Sequence, residues 1–93
     1  MIDWETAHRV AADHAARIPM DATGDQAVLL DAQTVAYDFG WLFVYQSSWF
    51  VQTNDPRWML LDNHAFLVRR ADGTIVVVPR AHREAILYQL SQQ

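Results

Sequence analysis

The sequence predicts a single α+β domain over residues 1–93, in which a four-stranded antiparallel sheet of two hairpins carries an N-terminal and a C-terminal helix packed on one face. Three observations lead to this prediction. An apolar stripe at helical spacing opens the chain, two pairs of strand-like segments meet at turn residues, and a second helical segment closes it. The sequence contains no internal repeat and no low-complexity tract.

The N-terminal helix is predicted over residues 4–17. Asp3 is a natural N-cap, because its carboxylate can accept hydrogen bonds from the first free N–H groups of a helix. Glu5 lies in the first turn, where the helix dipole favours negative charge. Pro19 ends the helix, since the residue before a proline avoids helical geometry. The stripe consists of Ala7, Val10, Ala11, His14, Ala15 and Ile18.

The first hairpin is predicted from two strand segments and the turn between them. Residues 27–30 begin a strand, residues 31–33 bulge it, and residues 34–37 continue it. Residues 38–40 (Asp-Phe-Gly) carry turn chemistry. Residues 41–46 are rich in aromatic and branched side chains, which favours a strand.

The second hairpin and the closing helix are predicted from the last third of the chain. Residues 65–70 and 75–78 are strand segments, and residues 71–74 (Ala-Asp-Gly-Thr) form the clearest turn signal in the sequence. Pro79 stops the returning strand. Residues 81–90 then place apolar side chains at positions suited to a helix.

The segment Ser47–Asn63 is too long and too apolar for a simple hairpin loop, so it is expected to pack on the body, with a helical turn after Pro56. Two helices on one face leave Leu42, Val44 and strand valines on the other face. That face is either exposed, as in a partner or homodimer interface, or covered by Ser47–Asn63. The sequence leaves these two alternatives open.

Composition excludes several classes of function. The chain has 93 residues, no cysteine, no lysine and a net charge of −4, which disfavours general binding to nucleic acid. No apolar run approaches the roughly 20 residues of a membrane span. The first residues lack the basic and apolar regions of a signal peptide. We therefore expect a cytoplasmic protein with no membrane partner.

The polar residues do not form a recognisable catalytic or metal motif. His8 and His14 are six residues apart on one helix and do not converge, because helical ligand pairs favour a spacing of four. A nucleophile, base and orienter could be drawn from Ser47–Ser48, His64 and Asp62, but no nucleophile elbow accompanies them. The expectation is a protein that is not an enzyme and has no metal and no cofactor.

The aromatic hairpin sequence reads Asp38-Phe39-Gly40-Trp41-Leu42-Phe43-Val44-Tyr45. Its residues predict structure rather than chemistry. The Asp38 carboxylate is expected to bond backbone N–H groups and lock the turn. Gly40 permits an unusual backbone angle or the close packing of a neighbour. Trp41 and Phe43 are expected in the core, and Gly73 is expected to take the left-handed position of its own turn.

This hairpin sequence resembles the signature of the YrhB-like proteins, also called the immunity protein 35 family. Further matches follow in order: Phe50, Leu60, Asn63 and the Asp72-Gly73 turn. The chain departs from the family pattern at Asp62, where glycine is usual, at Ala65, where proline is usual, and at Arg69, where an acidic residue is frequent. The resemblance covers nearly the whole chain.

The resemblance implies a bacterial immunity protein that binds and neutralises a cognate toxin encoded next door, by occluding its active site or substrate path. The alternative within the same resemblance is a chaperone-like protein that holds unfolded chains on an apolar sheet face. An acidic surface would steer the chain towards a basic toxin.

The candidate toxin-binding residues lie in the long segment and not in the signature. Tryptophan and arginine are favoured as interface anchors, and polar side chains surround the two tryptophans here. The alternative is that these tryptophans only fasten the segment to the sheet. The predicted set is Trp49, Asn54, Asp55, Arg57, Trp58, Asp62 and His64.

Overall fold

A long, bent hairpin organises the chain. The computed structural model describes residues 1–61 and 63–92. In chain order the elements are α1 (Trp4–Ala16), β1 (Ala27–Leu29), β2 (Val35–Tyr37), β3 (Gly40–Phe43), β4 (Tyr45–Ser47), α2 (Ser48–Thr53), β5 (Ala65–Arg69), β6 (Ile75–Val78) and α3 (Arg83–Ser91). Short 3₁₀ turns occupy Asp31–Gln33, Pro56–Trp58 and Arg80–His82.

The strands form one four-stranded antiparallel sheet, in the order β2-β3-β5-β6, and a two-stranded sheet of β1 and β4. The first predicted hairpin contributes β2 and β3 to the larger sheet and both strands of the smaller one. One of its arms bends at Val44, between β3 and β4, and the other is interrupted by the 3₁₀ turn that replaces the predicted bulge. A bond of 2.8 Å from the Leu30 N–H to the Val44 carbonyl holds the two bends together.

The first face of the larger sheet is covered by α1. As predicted, Asp3 caps this helix, since its carboxylate accepts a hydrogen bond of 2.9 Å from the Thr6 N–H. Small side chains let the helix approach the sheet, because Ala7 and Ala11 are fully buried against it. The aromatic and aliphatic side chains beneath them are Trp41, Phe43, Phe66 and Val68.

The second face is covered by α3, so the prediction that both helices share one face is wrong. Leu42 and Leu67 point to this side and are 2% and 0% exposed. They cluster with Ile86, Leu87 and Leu90 of α3. The physical reason is that strands apolar on both sides need cover on both sides. Neither alternative holds for the centre of this face: it is buried, and α3 rather than residues 47–63 supplies the helical cover, while Val35 on the edge strand β2 stays 44% exposed.

The turn between β2 and β3 differs in one respect from prediction. Among the described residues, Asp38 is exposed, and its carboxylate is not what fastens the turn. The Arg70 side chain does so instead, donating from Nε to the Asp38 carbonyl and from Nη2 to the Tyr37 carbonyl, each at 3.0 Å. The same guanidinium lies 4.1 Å from the ring centre of Trp41. Arginine provides the planar fork and the stacking face that this arrangement requires.

The remaining motif residues lie as predicted. Trp41 and Phe43 are buried, at 5% and 0% exposure. Gly40 permits a close approach, because a Cβ there would lie 2.4 Å from the Val68 carbonyl oxygen of β5. Gly73 takes a left-handed φ of +75° in the β5–β6 turn. Within residues 1–61 and 63–92, no helix is both long and apolar enough to cross a membrane.

Candidate functional site

The chain between β4 and β5, residues 48–64, carries the predicted binding residues and is here called the connecting segment. It begins with α2, which was not predicted from the sequence, and continues into the helical turn predicted after Pro56, which is a 3₁₀ turn. The Ser47 hydroxyl caps α2 by accepting a bond of 3.3 Å from the Phe50 N–H. Asn54 ends the helix in the left-handed conformation, with φ of 58°.

Asp25 fixes the start of α2 from a loop more than twenty residues earlier in the chain. Its carboxylate accepts hydrogen bonds from the hydroxyls of Ser47 and Ser48 and from the Trp49 N–H, the last two at 2.7 and 3.2 Å. Burial raises the pKa of Asp25, but these bonds and one from the Gln26 N–H outweigh it, so that the pKa lies below its ordinary value. The carboxylate therefore stays ionised and holds the helix in place at neutral pH.

The two tryptophans of the connecting segment pack on each other. Their ring centres are 4.8 Å apart at an interplanar angle of 81°, an edge-to-face arrangement that aromatic pairs favour. Gly24, at φ of +91°, lies close to the Trp49 ring, where a Cβ would come within 3.3 Å. Both Trp49 and Trp58 remain half-exposed. The two rings therefore join α2 to the following 3₁₀ turn and still present surface to solvent.

Asp55 and Arg57 form an ion pair beside this tryptophan pair. The Asp55 carboxylate accepts from the Arg57 backbone N–H at 3.0 Å and from its Nε and Nη2 at 3.0 and 2.7 Å. Arg57 thereby holds the pKa of Asp55 below its ordinary value. The Arg57 side chain is still 78% exposed and lies over the Trp58 ring, 5.8 Å from its centre. Asp55 thus orients an arginine that stays accessible to a partner.

Two amide side chains hold the last part of the connecting segment. Gln46 accepts from the Leu60 N–H at 2.7 Å and donates to the Leu60 carbonyl at 3.4 Å, much as a neighbouring strand would. Asn63 donates to the Tyr45 carbonyl at 2.7 Å. Burial raises the pKa of the Tyr45 hydroxyl, against the opposing effect of a hydrogen bond from the His64 backbone. Leu60, through its main chain, and Asn63, through its side chain, are therefore both tied to β4.

Apolar side chains project from this fixed stretch. Leu61 is 77% exposed, Met59 is 37% exposed, and Val51 on the nearby α2 is 52% exposed. The sequence contained the signal for them, since Met59-Leu60-Leu61 is an apolar run outside any strand periodicity. The sequence prediction for the whole segment was that it packs on the body, and these three side chains depart from that expectation.

A comparison with protein families identifies the chain. The family model described as Immunity protein 35 matches residues 5–87. The chain belongs to the immunity protein 35 family. Searches of curated proteins and of solved structures gave no significant match. The family match runs from α1 into α3 and includes the connecting segment. In this immunity protein, the binding residues predicted from sequence thus lie inside the family's domain rather than in an appendage to it.

The structure brings most of the predicted residues together and leaves others apart. Trp49, Asn54, Asp55, Arg57 and Trp58 form one unit at α2 and the following 3₁₀ turn. His64 is exposed at the far end of the segment, beside β5. Asp62 lies outside the described residues. Among the described residues, no group of three or more histidine, aspartate or glutamate side chains is placed to hold a metal ion.

Proposed function

We propose that this member of the immunity protein 35 family binds a cognate bacterial toxin, encoded by the neighbouring gene, in the cytoplasm. It neutralises the toxin by occluding its active site or its substrate path, acting by binding rather than by catalysis. The observation that carries this proposal is the family match over residues 5–87. The toxin partner follows from the family's description, and the mode of neutralisation is our inference.

The connecting segment is the surface we propose for toxin contact. Trp58 with the exposed Arg57 stacked over it combines two residue types that dominate the energetics of interfaces. Because Asp55 and Trp49 already fix this pair, little side-chain entropy remains to be lost on binding. Asn54, which ends α2, and His64, at the far end of the segment, belong to the proposed set, as does Asp62 from the sequence prediction.

Charge supports the choice of partner. The chain carries 11 acidic and 7 basic residues, a net charge of −4. A basic toxin would be attracted over a distance of about one Debye length, roughly 8–10 Å at physiological salt. Such steering raises the association rate more than the affinity. We therefore expect the rate of complex formation to fall as salt is added.

The test is co-expression of the neighbouring toxin gene with wild-type protein, Arg57→Ala, Trp58→Ala, or Arg9→Ala, a control arginine on the exposed side of α1. Wild type and Arg9→Ala should restore growth, whereas Arg57→Ala and Trp58→Ala should restore it less at equal protein levels. If the toxin kills cells equally with and without the wild-type protein, the proposed function is wrong.

The chaperone-like alternative has lost the feature that suggested it. It required an apolar sheet face open to unfolded chains, and that face is buried under α3 with Leu42 only 2% exposed. A homodimer through the same face, one of the alternatives open from the sequence, loses its central surface for the same reason. Binding to one folded partner through the connecting segment is the function that this surface supports best.

A further inference from the structure

We propose that the three residues Met59–Leu61, here called the ridge, are the anchor of the complex, and that Leu61 inserts into an apolar pocket on the toxin. The pocket would be flanked by a basic group facing Asp21 and an acidic group facing Arg80. This inference rests on the proposed function and deepens it. It moves the centre of the interface from the tryptophan pair to a stretch outside the binding set predicted from sequence.

The first argument is the combination of exposure and rigidity. Leu61 is the most exposed large apolar side chain in the described part of the chain after Met1 at the terminus, at 77% against 92%. An exposed leucine on a mobile loop needs no explanation. Here the flanking main chain is held by Gln46 at Leu60 and by Asn63 at β4. Because its neighbours are already held, less of the chain around Leu61 has to be ordered on binding, which lowers the entropy cost of association.

The second argument is the shape on either side of the ridge. One groove lies between the ridge and the end of α1, and its walls include Ile18 and Met20. The other lies between the ridge and the bent hairpin, and its walls include Leu30 and Phe50. Both grooves share the ridge residues as one wall. A partner that encloses Leu61 would therefore also fill two apolar grooves, which excludes water from around the anchor.

The third argument is the charge at the two outer walls. The exposed Asp21 lines the groove beside α1, and the exposed Arg80 lines the groove beside the hairpin. The ridge thus lies between a negative and a positive group. Only one orientation of a partner places opposite charges at both positions, and the reverse orientation brings like charges together on both sides. The charges fix the orientation, and the ridge supplies the apolar contact.

The decisive experiment measures binding by calorimetry to the toxin from the neighbouring gene, purified with its activity abolished by mutation. The variants are Leu61→Asp and Leu61→Lys, and the control is Tyr88→Asp on α3, whose side chain is similarly exposed at 69%. Both Leu61 variants should bind at least about 30-fold more weakly than wild type, the effect that marks an interface hot spot. Tyr88→Asp should bind as wild type does. Thermal unfolding should show all three variants folded, since each changes an exposed side chain.

Charge variants test the orientation. Asp21→Arg and Arg80→Glu should each weaken binding and change its salt dependence, whereas Arg9→Glu on α1 should change neither by more than about threefold. Wild-type protein that fails to bind the toxin overturns the proposed function. Wild-type protein that binds, together with Leu61 variants that bind as tightly as Tyr88→Asp, overturns the ridge inference and leaves the proposed function standing.

Discussion

Gly40→Ala should destabilise the protein more than its single methyl group suggests. Gly40 begins β3, in the middle of the four-stranded sheet, and its backbone does not need a positive φ. The obstacle is space. The new Cβ would lie 2.4 Å from the Val68 carbonyl oxygen and 3.2 Å from the Arg69 Cα, whereas real Cβ atoms essentially never approach a heavy atom closer than 3.0 Å.

The size of the effect follows from what must move. The shortfall is at least 3.0 − 2.4 = 0.6 Å, and the atom in the way belongs to the β5 backbone, which no rotamer change can displace. The two central strands must therefore separate locally, next to the pair formed by Trp41 and Val68. Overpacking of this kind costs about 3 kcal/mol, the upper part of the usual range. For a domain of this size, that lowers the midpoint of thermal unfolding by roughly 12–24 °C.

The assay is thermal and urea unfolding of Gly40→Ala, measured in parallel with Gly73→Ala as the control. Gly73 presents the opposite situation, because its φ of +75° strains an alanine while its Cβ would meet the nearest atom, on Ile2, at 3.5 Å. That control should lose only about 1–2 kcal/mol of stability, and Gly73→Asn less, since asparagine tolerates this conformation. If Gly40→Ala unfolds within about 1 kcal/mol of wild type, close strand packing is not the reason for glycine at this position.

Three further variants test the other contacts. Asp25→Asn should destabilise α2 at neutral pH. Because the folded state lowers the pKa of Asp25, its contribution is present above the ordinary value of 3.8 and is lost as pH falls through the folded value, so unfolding curves of variant and wild type should converge in acid. Arg70→Lys should cost about 1–2 kcal/mol in thermal unfolding, because lysine cannot stack on Trp41 and bond two carbonyls together. Gln46→Ala should speed hydrogen exchange at the Leu60 amide, with exchange in the sheet core unchanged.

Local signals in the sequence predicted most of the elements correctly. Asp3 and Pro19 bound α1, and the turn at Gly73 places β5 and β6 where periodicity indicated. The helix ends and the turn are local features, so one or two residues next to each other in the chain are enough to specify them. The close approach at Gly40 was also foreseen, although as one of two alternatives, since a glycine at a strand start fits either a special backbone angle or a missing Cβ.

The failures concern features that distant residues decide. α2 has only six residues, several of them β-branched or aromatic, and its own propensity is weak. Its Ser47 cap is local, but the Asp25 carboxylate that also binds its first residues comes from more than twenty residues away, which no local pattern reveals. The placement of α3 failed for a related reason. Apolar residues on both faces of β3 were visible in the sequence, but the sequence did not show which element would cover the second face.

The arrangement of these contacts separates the part of the molecule that builds the fold from the part proposed to act. In the signature hairpin, Gly40 is required for close strand packing and Trp41 stacks on Arg70. Substitution of either residue would therefore damage the sheet. The connecting segment is held differently. Asp25 and Gln46 bind its backbone and its helix start from outside, and the bonds from Gln46 do not depend on which side chain Leu60 carries. Its exposed side chains can therefore change without loss of the scaffold. A protein that must match one toxin and reject others gains from this division, because specificity can change at the surface while the fold is preserved.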